Sequence, residues 1–278
     1  MAAPESDASK RQNYRLKIAY HGKPYHGWQR QPGKVTVQAE LEAAAEALYG
    51  EPVAMAASGR TDTGVHALGQ VVSFQAPAKH GPLTIRQALN AKLDATIRVL
   101  EARRAPGDFH ARFSATGKTY CYRILNAAVE DPFRLDVRWF VPRPLDVSAM
   151  RRAARHLVGE HDFASFASNP GYARETTVRH VRWLRLARRG DEITLRVHAD
   201  GFLYKMVRNL AGTLVKVGSG RLAPEELLAI RETRARRAAP PSAPAHGLFL
   251  ESVQYEGTTP ARRFDPAKAA AKRRRAKR

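Results

Sequence analysis

One cysteine, Cys121, stands in a chain of 278 residues. No disulfide can close within it, and no Cys/His cluster has the spacing of a zinc site. A phosphate-cradling GxxxxGK segment is absent, which removes the P-loop nucleotide-binding class. No apolar run approaches the roughly 20 residues that a membrane-spanning helix needs. The polar start, Met1–Asn13 with Glu5 and Asp7, lacks the apolar centre of a secretory signal. A soluble, cytoplasmic protein with no membrane association is expected. Acid is also scarce. Against 47 Lys and Arg there are 26 Asp and Glu, a formal net charge of +21. A solvated surface needs no such one-sided excess, so an anionic polymer is the implied partner, nucleic acid first and a membrane surface second. Residues 261–278 hold nine of the basic residues and one acid, Asp265, a net +8, which leaves +13 on the other 260 residues. The body of the chain is therefore basic in its own right.

What is present reads as alternating strands and helices. Residues 1–13 are expected to be disordered. Tyr14–Tyr20 alternates apolar and polar residues, the pattern of a half-buried strand. A loop rich in glycine and aromatics follows, His21–Gly33. Thr36 can cap a helix from Val37 to Tyr49, with Val37, Leu41, Ala44 and Leu48 on one face and Gly50 as its stop. Strands at 52–57 and 69–75, a helix over 82–93 and a strand at 97–102 complete a strand–helix–strand–strand–helix–strand order. That is the ferredoxin-like pattern. The second half repeats the style loosely: a strand at 119–125, a helix capped by Asp146, strands at 178–187 and 192–199, a helix from Tyr204 to Val217, a short helix from Pro224, a linker at 238–245 and a last strand at 248–255. No repeat of fixed period is visible. The expected fold class is α+β: two ferredoxin-like (RRM-like) sheet-and-helix halves in a mixed, mainly antiparallel sheet, with a cleft between them. The expected division is 14–109, 110–256 and a disordered basic tail, 257–278.

The stretch Gly59-Arg60-Thr61-Asp62-Thr63-Gly64-Val65-His66-Ala67 lies between two of these strands. It sets a carboxylate two residues from a guanidinium, in a turn bracketed by glycines. Asp62 is open between two readings. It can be a turn aspartate bonded to its own backbone. It can also be a reacting group, since a carboxylate repels phosphate and its place in a nucleic-acid site implies a base or a nucleophile. Arg60 would keep it ionised. Tyr120 and Tyr122 share a strand face and compete for any role at the site. Lys205 and Arg208 share a helix face at i, i+3 spacing. Trp28 is open between stacking on RNA and closing the core. His66, like His21, His26 and His246, reads better as a turn histidine bonded to backbone than as a base, and Cys121 reads as buried and inert.

The nine residues from Gly59 to Ala67 resemble the signature of the tRNA pseudouridine synthase A family, with Thr63 where the commonest form has alanine. Four further blocks are similar to that family in the same order: Tyr20–Gln31, Phe113–Tyr120, Phe202–Asn209 and the closing Ala245–Leu248. Gly117-Lys118-Thr119 departs from the Ala-Arg-Arg of some members, which puts RNA contacts there in question. The resemblance covers about Tyr14 to Tyr255. It implies isomerisation of uridine to pseudouridine in tRNA without metal or cofactor, at positions 38, 39 and 40 of the anticodon stem-loop, by a homodimer. It further implies Asp62 as nucleophile, Tyr120 as the platform for the extruded base, and Arg208 as a third catalytic residue that, with Arg60, would lower the Asp62 pKa. Tyr120, Arg60, Lys205 and Trp28 are the expected substrate-binding residues. Two rival readings remain: a non-catalytic tRNA-binding protein on the same scaffold, and a glycosidic-bond hydrolase, which would want a second carboxylate nearby.

Overall fold

The computed structural model describes residues 11–169, 171 and 175–256. Residues 1–10 and the basic segment 257–278, both expected to be disordered, lie outside the described residues. The first half contains β1 (Arg11–Tyr20), α1 (Val37–Tyr49), β2 (Ala56–Ala57), β3 (His66–Pro77), α2 (Pro82–Lys92) and β4 (Ile97–Arg104). The second contains β5 (Ala115–Leu125), β6 (Trp139–Phe140), α3 (Val147–Arg155), β7 (Gly159–Asp162), β8 (Val178–Arg189), β9 (Glu192–Ala199), α4 (Met206–Gly218), α5 (Glu226–Glu232) and β10 (Leu248–Tyr255).

Local chemistry accounts for the elements. In β1, Tyr14, Leu16 and Ile18 are fully buried while Arg15 and Lys17 between them are not, the alternation of a sheet covered on one face. The Thr36 hydroxyl accepts the Ala39 N–H at 3.4 Å, and Gly50, left-handed at φ 75°, returns its N–H to Glu46 O. Asp146 caps α3 by accepting from Ser148 and Ala149 at 2.7 and 3.0 Å. Helix and strand faces close over one continuous core, with Leu41, Ile85 and Leu89 in the first half and Met150, Leu210 and Leu214 in the second.

The boundaries differ from expectation in instructive places. β1 begins at Arg11, three residues early. Its first residues are polar, but the Asn13 side chain donates to Pro106 O (2.7 Å) and Phe109 O (2.8 Å), so hydrogen bonds hold what apolar burial does not. The strand expected over 52–57 shrinks to Ala56–Ala57. Met55 is instead held by α1: its N–H donates to Glu42 Oε1 (3.0 Å) and its carbonyl accepts from Gln38 Nε2 (3.2 Å). The short strands β6 and β7 carry no sequence signal.

All strands join one sheet, ordered β4-β1-β3-β10-β5-β9-β8-β7, with β2 on β3 and β6 on β5. Neighbours are antiparallel except β3–β10 and β5–β6. The fold is thus mixed α+β and mainly antiparallel. Each half carries the same internal order. β4-β1-β3-β2 in the first is matched by β10-β5-β9-β8 in the second, the ferredoxin-like arrangement twice over.

The halves meet at β3. Its start, His66 and Ala67, pairs with Phe249 and Leu250 of β10. Further along, Val72 and Ser73 pair with Ala57 and Ala56 of β2. Two strands from different halves share one edge of β3, and residues 58–65 cross the gap between them. That gap is where the chain places its glycine-bracketed carboxylate.

Candidate active site

The crossing loop is fixed at both ends and from below. Ser58 N–H donates to Val71 O (2.8 Å). The Gln70 carboxamide accepts from the Ser58 hydroxyl (2.6 Å) and donates to Gly59 O (2.8 Å). Val65 N–H donates to the Asp62 carbonyl (3.0 Å), closing a turn through Gly64. Below lies the glycine–aromatic loop. Trp28 N–H donates to Thr61 O (3.0 Å), and the hydroxyls of Tyr20 and Thr61 are bonded at 2.8 Å. A Cβ on Gly27, whose φ is +86°, would stand 2.6 Å from Thr61 O, and one on Gly22 would stand 2.1 Å from Val65 O. Two backbones touch there, and only glycine permits it.

Asp62 faces the other half. Its Oδ2 accepts from Arg208 Nη1 at 3.3 Å, across 146 residues of sequence. Arg208 stands in the first turn of α4, and its Nε donates to Ala243 O (2.8 Å), which fixes the guanidinium plane. The pair is largely enclosed, with side-chain exposures of 23% for Asp62 and 15% for Arg208. Burial pushes the Asp62 carboxyl above its ordinary range; the charge and hydrogen bond of Arg208 and the charge of Lys205 oppose that rise. The result is a partly dehydrated carboxylate held by one guanidinium.

Lys205 immediately precedes α4 in a left-handed backbone conformation, φ 58° and ψ 10°, uncommon for a residue with a side chain. No side chain caps this helix start. The helix therefore begins at Met206, not at Tyr204. The turn places the ammonium over the Tyr204 ring, 5.1 Å from its centroid, and within electrostatic reach of Asp62.

Tyr120 comes from β5. Tyr20, Ala67, Leu250, Tyr120 and Val197 stand opposite one another across five successive strands, so they share one face of the sheet. Tyr120 is buried, with Phe202 edge-on to its ring at 4.9 Å. Its hydroxyl has no hydrogen-bond partner among the described residues. Burial, with Tyr20 and Asp62 nearby, raises its pKa far above the phenol range. It stays protonated at neutral pH, so it can stack and donate, and it can take a proton only by passing its own on. Its internal competitor is committed elsewhere: the Tyr122 hydroxyl donates to Pro244 O (2.7 Å).

Asp62, Arg208, Lys205 and Tyr120 are thus brought together. Two expected residues are not. Arg60 is exposed and makes no ion pair with Asp62, because Thr61 turns inward to Tyr20 and Trp28 and leaves Arg60 on the solvent side. Of the two arginines expected to sustain Asp62, Arg208 makes the ion pair. Trp28 is 2% exposed and packs against Tyr20 at 6.4 Å. A ring closed into the core cannot stack on RNA, so it is the floor of the loop.

Sequence reasoning passed over Gln70, Tyr20 and Phe202 as site builders; each is an ordinary strand or loop residue until its partner is known. His66 is a clamp, as a backbone-bonded histidine should be. Gly22 N–H donates to its Nδ1 (3.0 Å), which puts the proton on Nε2, and this donates to His246 O (3.1 Å). Phe249 stacks on it at 4.6 Å. Burial first, then His21, push its pKa down to about 4. The first loop, the signature and the closing segment are joined through this one neutral ring.

The family model described as "tRNA pseudouridine synthase" matches residues 17–114 and 153–256. The chain is 48% identical over 242 residues to a protein of Methylacidiphilum infernorum named tRNA pseudouridine synthase A, covering 87% of this chain and 95% of that one. It is 46% identical to the protein of that name from Halalkalibacterium halodurans, over 84% of this chain and 89% of the relative. It is 44% identical to that of Rhodospirillum rubrum, over 92% and 91%.

Proposed function

The chain belongs to the tRNA pseudouridine synthase family, and on that premise we propose that Asp62 begins the isomerisation of uridine in tRNA, with Arg208 and Tyr120 completing the site. The protein is an isomerase and tRNA is its substrate. The observation that supports the assignment is the enclosed Asp62–Arg208 pair at 3.3 Å, on the face that carries Tyr120.

The reaction breaks the N1–C1′ bond, turns the uracil, joins C5 to C1′ and releases the C5 proton. A base must leave its helix to be reached, and its plane then needs a platform. Tyr120 supplies one. Asp62 supplies the electron pair. It either attacks C1′ or removes the 2′ hydrogen to give a glycal, and both routes begin at the same carboxylate. Arg208 and Lys205 oppose the effect of burial and keep that carboxylate ionised. Partial dehydration makes it more reactive than one in water. Arg60, exposed beside it, meets a phosphate or fills the place of the departed base, and Lys205 adds charge at the cleft. The same proposal includes a cytoplasmic homodimer with the RNA across both subunits and uridines 38, 39 and 40 as targets. A tRNA-binding protein without chemistry is not favoured, since binding alone gives no reason to enclose a carboxylate where phosphate must approach.

The test uses tRNA tritiated at uridine C5. Wild-type protein should release the label, and Asp62→Asn should bind tRNA and release none. An active Asp62→Asn protein contradicts the role of Asp62, and release of free uracil would make the protein a hydrolase.

A further inference from the structure

Lys118 is the one cation on this face of β5 that the proposed mechanism leaves unused. It stands two residues before Tyr120 and shares its side of the sheet, as the unbroken register Lys118↔Ala199, Thr119↔His198, Tyr120↔Val197 requires. Its side chain runs to the start of the crossing loop. A Cβ added to Gly59 would stand 3.3 Å from Lys118 Nζ and 3.7 Å from Cε. The ammonium is therefore packed against the loop that carries Asp62, in space that the missing side chain of Gly59 leaves open.

Nothing among the described residues neutralises it. Among the described residues Lys118 has no ion pair, and its ammonium has no hydrogen-bond acceptor. It is not a counterion of Asp62, whose carboxyl responds to Arg208 and Lys205. The charge it does feel is of like sign: burial and then Arg112 hold its pKa down to about 8. Arg112 is exposed, with its guanidinium 5.5 Å from the ring centre of Phe113, itself 76% exposed. A half-buried ammonium that pairs with no acid among the described residues, under the like charge of Arg112, is unfavourable in the free protein. An incoming anion relieves it.

We infer that Lys118 and Arg112, with Gly59 giving room, form a binding site for a backbone phosphate of the RNA next to the uridine held over Tyr120. The ligand class is a phosphodiester. Lys118 serves as a point charge that draws the strand down beside the Asp62 loop, and Arg112 meets it from the solvent side. The inference rests on the reading of this cleft as the RNA site, but not on which residue performs the chemistry.

The experiment measures binding of unmodified tRNA against potassium chloride concentration, together with KM and kcat for tritium release, for the full-length wild type, Lys118→Met and Lys118→Arg. Lys118→Met keeps the apolar stem, and thermal melting checks its fold. The expected result is about tenfold weaker binding and a slope of log K against log salt shallower by about 0.7–0.9, the effect of one phosphate contact. The loss should fall on KM more than on kcat, and Lys118→Arg should restore most of it. Gly59→Ala, which crowds the ammonium without removing its charge, should weaken binding in the same direction. An unchanged salt slope in a folded Lys118→Met protein overturns the inference, and so does a loss confined to kcat. If wild type binds tRNA with the expected dependence on Lys118 yet releases no label, the isomerisation scheme fails and the phosphate site stands. If wild type is active and Lys118→Met binds normally, the phosphate site alone fails.

Discussion

Replacing Arg208 by methionine removes the guanidinium bonded to Asp62 while leaving an apolar stem of similar length. At 3.3 Å two unit charges attract by about 5 kcal/mol at an effective dielectric near 20. Both side chains keep some access to water, and part of the attraction only offsets the dehydration of the pair. A net loss of about 2–3 kcal/mol in support of the ionised carboxylate follows, equivalent to about 30- to 150-fold in rate where the pH lies below the Asp62 pKa and to less as the pH rises above it. The loss should depend on pH. Burial raises the Asp62 pKa and Arg208 opposes it, so without Arg208 the pKa rises further. The acid limb of the rate profile then moves to higher pH, and the deficit is larger near pH 6 than near pH 8.5. Arg208→Lys keeps the charge but loses the Nε bond to Ala243 O that aims it, so its limb should stay near that of wild type while its rate falls. Single-turnover tritium release with enzyme in excess, followed from about pH 5.5 to 9, distinguishes these. A methionine profile parallel to wild type, lower by one factor at every pH, would refute the electrostatic reasoning.

Two further outcomes are expected from the frame around the loop. His66 is held neutral with a pKa near 4, against an ordinary 6.5. On acidification the unfolded chain takes up this proton first, so stability present above about pH 6.5 is lost down to about pH 4, by about 3 kcal/mol in all. Urea midpoints of wild type should fall over that window, and those of His66→Gln should fall less; equal slopes would contradict the assignment. Gly27 and Gly33 both have positive φ, +86° and +67°, but a Cβ on Gly27 meets Thr61 O at 2.6 Å while one on Gly33 meets nothing within 4 Å. Alanine at Gly33 should show only the left-handed backbone strain, about 1–2 kcal/mol. At Gly27 the melting temperature should fall further and kcat should drop more than tenfold, and equal activity in the two variants would mean that the loop tolerates displacement.

Much of this architecture is legible in the chain because it is local. Thr36, Gly50 and Asp146 cap or stop helices where their types suggest, and β1 alternates as its residues do. What the sequence hides is set by distance or by polar bonding. Polar Arg11–Asn13 enters a strand because Asn13 finds carbonyls more than ninety residues away. Residues 52–55 leave the ladder because Gln38 and Glu42 of α1 bind Met55 instead. The double ferredoxin-like order is invisible as a repeat, since strand order depends on which edges pair and not on which residues recur.

That Arg208 and not Arg60 pairs with Asp62 follows from the same limit. Reading along the chain, Arg60 is the nearest cation to Asp62 and the obvious partner. Thr61 between them faces inward, bonded to Tyr20 and Trp28, and this directs Arg60 to solvent. The partner of Asp62 instead arrives from α4, because β10 takes part of the edge of β3 and draws the second half against the loop. Sustaining Asp62 and binding a phosphate would compete at one side chain, for a guanidinium committed to a carboxylate has less charge to offer a phosphate. With Arg208 as the carboxylate's partner, fixed by Ala243, Arg60 keeps its full charge at the rim. In the proposed scheme charge is thereby divided by depth: an enclosed cation sustains the anion proposed to react, and Arg60 at the rim is left to receive the anion that is bound. An Arg60→Met protein should accordingly show weaker tRNA binding, by about tenfold, with the acid limb of its rate profile unmoved. A shift of that limb like the one expected for Arg208→Met would show that both arginines act on Asp62.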